Sequence, residues 1–199
     1  MLRLSIIGLL LLSACDAGVT TIRAADGGRK KIDCSESYIA TSLPGNYTCE
    51  QFDKYQSSNP DRYNGRYGGI FQMFSIYGRS NDGTRLSLAV SKAISNGFFS
   101  PSLASTSPEE QIRDYNNDTK KAQDWGTLRR TMDASVMNFS DGAWKCFGFK
   151  KYGGFAYGGF AHVTSGYFCR TRQSAFGDDD AASLINTIIV RDSISAAPK

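Results

Sequence analysis

The 199-residue sequence contains only one histidine, His162, and charged residues make up only 21% of it. A single imidazole excludes metal centres that need two or more histidine ligands. The formal net charge of +4 is too small to indicate a nucleic-acid-binding protein. Hydrophobic residues reach 41%, as in ordinary globular domains, which excludes a disordered tail, a collagen-like fibre and a multi-span membrane protein.

Several motifs that carry well-known chemistry are also missing. The sequence has no phosphate-binding P-loop, no H-E-x-x-H zinc motif, no EF-hand loop and no G-x-G-x-x-G dinucleotide fingerprint. It also lacks the G-x-S-x-G elbow of many serine hydrolases. We therefore predict no cofactor and no metal site.

The N-terminus has the pattern of an export signal. A basic residue, Arg3, precedes a short apolar run at residues 4–12, which is too short to span a bilayer as a helix. The sequence Leu12-Ser13-Ala14-Cys15 follows directly and resembles the lipobox of bacterial lipoproteins. That resemblance implies that residues 1–14 are a signal peptide and that Cys15 carries diacylglycerol and palmitate. An ordinary secretory signal cleaved nearby is the alternative.

The rest of the chain divides into three parts. Residues 15–33 are small and polar and predict a flexible tether, residues 34–192 a single globular domain, and residues 193–199 a tail. The lipobox resemblance places this domain on the periplasmic side of the cell envelope, at the inner or the outer membrane. Three N-glycosylation sequons leave open a secreted eukaryotic module.

The four remaining cysteines predict two disulfides, because an exported chain with an even number of cysteines usually oxidises them in pairs. The pairing with the shortest loops is Cys34–Cys49 and Cys146–Cys169. Neither pair has the close spacing of a zinc knuckle or a redox-active dithiol. We therefore expect structural bridges.

Hydrophobic periodicity predicts an α+β fold with a mainly antiparallel sheet. Strands are expected at residues 67–77, 133–139, 143–151 and 162–171. Helices are predicted from Thr48, over residues 84–96 and from Ser107 on the surface, although residues 84–96 also alternate as a strand would. A C-terminal amphipathic helix, from Asp178 to Arg191, should pack on one face of the sheet.

A repeated unit, Tyr-Gly-Gly-Phe-Ala at residues 152–161, lies between two predicted strands and indicates a hairpin. If its strands are held by the predicted bridge, the turn is centred between Tyr157 and Gly158. The pairs of that register are Cys146 with Cys169, Phe147 with Phe168 and Phe149 with Gly166. These pairs suit an antiparallel ladder, because aromatic pairs and aromatic–glycine pairs pack well across strands.

The aromatic residues of this hairpin are a candidate binding patch, formed by Tyr152, Phe155, Tyr157 and Phe160. Exposed aromatics suit contacts with a partner protein or a sugar ring. The alternative, which we favour, is that they fold back and cover a thin core.

Catalytic candidates are few. His162 could act with a serine such as Ser165 and one of Asp178, Asp179 and Asp180, or a carboxylate pair could hydrolyse glycosides. A lone histidine is more often a half-buried structural residue. We therefore predict a non-catalytic, lipid-anchored envelope protein that binds another envelope protein or a glycan as an accessory or assembly subunit. A small envelope hydrolase is the alternative.

Overall fold

A computed structural model describes the greater part of the predicted globular domain. The described residues are 28–57, 69–95, 98–99, 108–109, 112, 122–131, 134–156, 159–172 and 174–192. The predicted signal peptide, Cys15, most of the tether and the tail lie outside them. No helix in these ranges combines the length and the apolarity that a membrane span requires.

Strands dominate the described residues. In chain order they are β1 (Lys30–Ile32), β2 (Ile39–Thr41), β3 (Gly45–Gln51), β4 (Tyr55–Ser57), β5 (Gly69–Ser80), β6 (Arg85–Ser95), β7 (Arg129–Thr131), β8 (Ala134–Asp141), β9 (Trp144–Ala156), β10 (Gly159–Thr171) and β11 (Ile188–Val190). A short 3-10 turn occupies Cys34–Glu36, and an α-helix, the C-terminal helix, occupies Asp178–Ile185.

The strands form an antiparallel sheet in the order β1-β3-β5-β6-β10-β9-β8-β7, with β4 pairing to β5. A second, two-stranded sheet joins β11 to β2. The prediction of a mainly antiparallel sheet is therefore confirmed. Residues 30–32, predicted as part of the tether, instead form the edge strand β1 against β3.

The helix predicted over residues 84–96 is wrong, because this segment is the central strand β6. Leu86, Leu88 and Val90 are all buried, as the alternation of a strand requires. Ile94, which a helical face would have buried, is exposed. Pairing with β5 and β10 gives the backbone N–H and C=O groups of β6 hydrogen-bond partners on both sides. This pairing decides between the helix and strand patterns, which the sequence of residues 84–96 fits equally.

The short helix predicted from Thr48 is also wrong. Thr48 lies inside β3, which pairs with β5 on one side and β1 on the other. The buried side chain of Cys49 is bonded to Cys34, which fixes the strand against the preceding 3-10 turn. Capping-box spacing alone is a local signal, and tertiary pairing overrides it here.

The β9–β10 hairpin has the predicted register. Each predicted pair is present: Cys146 opposite Cys169, Phe147 opposite Phe168 and Phe149 opposite Gly166. Cys146 and Cys169 are disulfide-bonded, so both bridges expected from the sequence exist. Ala156 pairs with Gly159, and the two turn residues, Tyr157 and Gly158, lie outside the described residues.

The main hydrophobic cluster lies on one face of the large sheet, which we call the core face. The cluster includes Phe74, Leu88, Val136, Phe147, Phe149 and Phe168 from the sheet and Phe176, Ala181, Leu184 and Ile185 from the C-terminal region. Phe147 stacks on Phe168 at 5.4 Å between ring centroids and meets Phe176 edge-on at 5.0 Å. These aromatic contacts form the centre of the fold.

The C-terminal helix begins at the three aspartates, as predicted, but it is shorter than predicted. It ends at Ile185, and residues 188–190 form β11 against β2. Thr187 closes the helix by donating its hydroxyl to the Leu184 carbonyl at 2.7 Å. The β-branched run that follows favours an extended chain. Arg191 then donates to the carbonyls of Cys34, Ser35 and Ser37.

The helix predicted from Ser107 is described only in part. Pro108, Glu109 and Ile112 have helical backbone, whereas Ala122 does not. Pro108 and Ile112 are buried, so this part of the chain is not the surface element that its polar sequence predicted. The space above Gly148 admits Ile112 because glycine has no side chain there.

Candidate functional site

The tip of the β9–β10 hairpin exposes one large aromatic side chain. Phe155 is 98% exposed, the largest value among the exposed large hydrophobic residues of the described ranges. Gly154, which precedes it, has a φ of +64°, a conformation that residues with a β-carbon rarely adopt. Phe155 still pairs with Phe160 in the hairpin, so its backbone stays in the sheet while its side chain is exposed.

The other described aromatics of the hairpin are packed. The rings of Tyr152 and Phe160 lie 5.4 Å apart, and Phe160 exchanges two backbone hydrogen bonds with Phe99, at 2.8 and 2.9 Å. Burial raises the pKa of Tyr152 to about 12. The predicted patch is thus divided: Phe155 projects into solvent, Tyr152 and Phe160 pack against each other, and Tyr157 lies outside the described residues.

His162 is half-buried on the core face of the sheet, with its imidazole over the backbone of Gly153. Burial and the neighbouring ammonium group of Lys92 lower its pKa, and the opposing charge of Asp192 offsets only part of that shift. Strand alternation places Ser165 on the opposite face of β10. The candidate pairing of His162 with Ser165 therefore does not form.

The aspartates that the sequence offered as partners have other roles. Asp178 forms an ion pair with Arg129 at 3.2 Å, and Asp180 forms one with Arg172 at 3.1 Å. Asp180 also accepts the backbone N–H of Gly177 at the start of the C-terminal helix. Within the described ranges, no group of three or more potential metal ligands occurs. These carboxylates anchor the helix to the end of the sheet.

A groove lies on the other side of the sheet, which we call the second face. Its floor consists of short side chains from β5, β6 and β10, namely Ser75, Ser87, Ala89 and Ser165, and we call it the serine groove. Its volume is about 520 Å³, within the range of small-molecule sites. The lining also includes Phe52, Met73, Tyr77 and Tyr167.

One end of the serine groove is cationic. Arg79 and Arg85 are cross-strand neighbours, and both guanidinium groups lie over the ring of Trp144, at 5.3 and 5.2 Å from its centroid. Arg85 forms an ion pair with Asp141, but its Nε atom is buried and makes no hydrogen bond in the described structure. Among the described residues, Asp141 therefore pairs with Arg85, and Arg79 has no carboxylate partner.

The serine groove was not foreseen from the sequence. Its floor residues come from three strands, and β10 is separated from β6 by more than sixty residues of chain. The available signal was the alternation of small residues with large apolar ones, as in Ser87 and Ala89 between Leu86, Leu88 and Val90. That alternation marks a strand with one open face only once the helix interpretation of β6 is rejected.

Comparisons of this chain with protein-family models, with curated proteins and with solved structures found no match. Function is therefore argued from the chemistry and exposure of the described residues.

Proposed function

We propose that this protein is a lipid-anchored protein of the cell envelope that acts by binding, as an accessory or assembly subunit, and not by catalysis. The observation that carries the proposal is the 98% exposure of Phe155 at the tip of a disulfide-bonded hairpin. A large apolar side chain in water gains free energy when a partner covers it, by about 2 kcal/mol for full burial.

The hairpin is built as a rigid support for that side chain. Cys146 and Cys169 join its strands in the buried interior of the sheet. Nearer the tip, the contact of Tyr152 with Phe160 and the backbone pairing of Phe160 with Phe99 hold both strands. Because these contacts order the strands that carry Phe155, the backbone there loses little conformational freedom on binding, which favours affinity.

The two disulfides support an exported protein, because such bridges persist in oxidising compartments. The sequence Leu12-Ser13-Ala14-Cys15 resembles the lipobox of bacterial lipoproteins and supports lipid anchoring of the exported protein. In this proposal Cys15 carries the lipid and residues 15–27 connect it to the edge strand β1. The membrane is then one partner and the ligand of the hairpin is another.

The proposal includes the predicted placement of the C-terminal helix. We infer that the helix covers the core face and leaves the serine groove of the second face and the hairpin tip for contacts with other molecules. Ala181, Leu184 and Ile185 support this, since they are buried in the same cluster as the core aromatics of the sheet.

We favour a protein partner over a glycan. Phe155 has no hydroxyl or amide with which to bond sugar hydroxyls, and an apolar ring suits an apolar pocket of a protein. Tyr152, the aromatic with a polar atom, is half-buried at the base of the tip. The hairpin tip therefore offers a glycan fewer polar side-chain atoms for hydrogen bonds than a glycan-binding site needs.

The proposal is tested by site-specific photo-crosslinking in cells that make the full chain. A benzophenone amino acid replaces Phe155 in one strain and Leu128, which is 50% exposed and directly precedes the edge strand β7, in another. We expect a discrete protein adduct at position 155 and not at position 128. Identical adducts at both positions, or no adduct at position 155, would contradict the proposal.

A stability measurement separates binding from folding. Phe155→Ala should change the free energy of unfolding by less than about 0.5 kcal/mol, because the side chain is solvated in the folded protein. The same variant should lose co-purification with the crosslinked partner. If the variant is instead strongly destabilised, Phe155 has a structural role and the assignment is wrong.

A further inference from the structure

We propose that the serine groove binds a small organic anion, with its carboxylate or phosphate at Arg79 and Arg85 and its body over the serine floor. This site lies on the second face of the sheet and is independent of the contact proposed for Phe155. Three features of the described residues carry the inference: the row of short side chains, the two tyrosines beside it and the unbalanced charge at one end.

The floor is a row of short side chains across three paired strands. Ser75 lies opposite Ala89 in the β5–β6 pair, and Ser165 lies opposite Ala89 in the β6–β10 pair. On the core face, the same strands carry large apolar residues such as Phe74 and Leu88. The short side chains therefore leave a hollow in the second face that longer residues would fill.

Two tyrosines flank the groove at the next set of cross-strand neighbours, on the side towards the arginines. Tyr77 and Tyr167 lie opposite Ser87 on its two sides, so two aromatic residues flank one serine. Their strands are two spacings apart, about 10 Å. The Ser87 side chain therefore lies between the two tyrosines, and the guanidinium group of Arg85 lies over the Tyr167 ring at 5.8 Å from its centroid.

The set of cross-strand neighbours beyond the tyrosines carries positive charge. Arg79 lies opposite Arg85, an arrangement that repels unless an anion is nearby. Asp141 compensates Arg85, whereas Arg79 has no carboxylate partner among the described residues. Including Arg29 and Glu50, the described residues that line the groove carry three positive charges and one negative charge. The groove is thus complementary to a negatively charged ligand.

The guanidinium groups are also positioned for an anion. Both lie on the Trp144 ring, which limits their motion, and Arg85 has a buried Nε donor without an acceptor. Guanidinium groups bind carboxylate and phosphate oxygens through paired N–H donors. A ligand oxygen near Arg79 and Arg85 would relieve the repulsion between their guanidinium groups.

The test measures binding of three probes to the folded protein by calorimetry and by tryptophan fluorescence, to which Trp144 contributes. The probes are benzoate, phenyl phosphate and the neutral control benzyl alcohol. We expect at least one of the two anions to bind and benzyl alcohol not to bind. The preferred anion then distinguishes a carboxylate ligand from a phosphate ligand.

Variants locate the binding. Arg79→Gln should weaken binding about tenfold, because a charge-assisted pair of hydrogen bonds is lost. Arg130→Gln makes the same charge change at an exposed residue of β7 and should change the dissociation constant by less than about twofold. Ala89→Ile, which fills the groove without changing charge, should also weaken binding about tenfold.

A gain-of-binding variant covers the case in which Ala89→Ile destabilises the fold. Asp141→Asn removes the carboxylate that competes for Arg85 and should tighten anion binding about threefold. Equal weakening by Arg79→Gln and Arg130→Gln would overturn the site, since it would indicate general charge attraction. Unchanged binding in folded Ala89→Ile, weaker binding in Asp141→Asn, or no binding of either anion would overturn it as well.

Discussion

Among single residues, the two phenylalanines of the repeated Tyr-Gly-Gly-Phe-Ala unit have different surroundings although their local sequences are identical. Phe155 and Phe160 each follow Tyr-Gly-Gly. Phe160 is held by backbone bonds to Phe99, whereas Phe155 follows a left-handed glycine and points into water. Repetition in the sequence therefore does not predict repetition of role, because the contacts around each residue determine it.

His162 provides a prediction at this scale. Its pKa is lowered, so the folded protein binds the proton more weakly than the unfolded chain does. Stability is therefore highest above about pH 6.5 and decreases as the pH falls from 6.5 towards the folded pKa. Because the chain has one histidine, a proton NMR titration of its imidazole resonance reads the pKa directly.

The matched variant is His162→Gln, which keeps a polar side chain without the titration. Its free energy of unfolding should fall less than that of the wild type between pH 7 and pH 5. A measured imidazole pKa at or above 6.5 would show that burial and Lys92 do not control this residue.

At the scale of elements, the sheet depends on close approach between strands β6 and β10. A β-carbon added at Gly166 would overlap the carbonyl oxygen of Ser87 and lie 2.8 Å from the Cα atom of Leu88. Gly166 also has a φ of +153°, which residues with side chains rarely adopt. This glycine permits β10 to lie against β6 while Phe149 occupies the core face opposite it.

We predict that Gly166→Ala lowers the free energy of unfolding by about 3 kcal/mol, because the clash is with backbone atoms that cannot move independently. Gly126→Ala is the control, since its nearest atom, the carbonyl oxygen of Asn138, would be 3.6 Å from the new β-carbon. The control should change stability by less than about 0.5 kcal/mol. Urea denaturation of both variants measures the difference, and equal effects would refute the argument.

The elements that the sequence predicted well have strong local signals. The β9–β10 register followed from two cysteines and one aromatic pair, which agree in only one alignment. β6 was mistaken because Leu86 and Val90 fit both a strand and a helix, and pairing with β5 and with distant β10 distinguishes them. The serine groove was missed for the same reason, because no local sequence pattern indicates which strands become neighbours in the sheet.

Across the whole molecule, the two disulfides stabilise different parts of the fold. Cys34–Cys49 joins the 3-10 turn to β3, and Cys146–Cys169 joins the two longest strands in the sheet interior. Their sequence separations are 15 and 23 residues. By chain entropy alone, each bridge should stabilise the folded state by about 3 kcal/mol.

We predict a larger loss for Cys146→Ala/Cys169→Ala than for Cys34→Ala/Cys49→Ala. The first pair removes two sulfur atoms from fully buried positions and leaves a void, whereas Cys34 is only half-buried. Thermal and urea unfolding of both double variants measure the difference. Equal losses would mean that packing around Cys146 and Cys169 adds nothing to the chain-entropy effect.

Mass spectrometry of unreduced full-length protein, purified from the envelope of the cells that make it, shows whether the protein is exported and lipid-anchored. We predict an N-terminal Cys15 carrying diacylglycerol, together with peptides linked through Cys34–Cys49 and through Cys146–Cys169. Four free thiols in the body of the protein, or a chain that retains residues 1–14 without lipid, would contradict it.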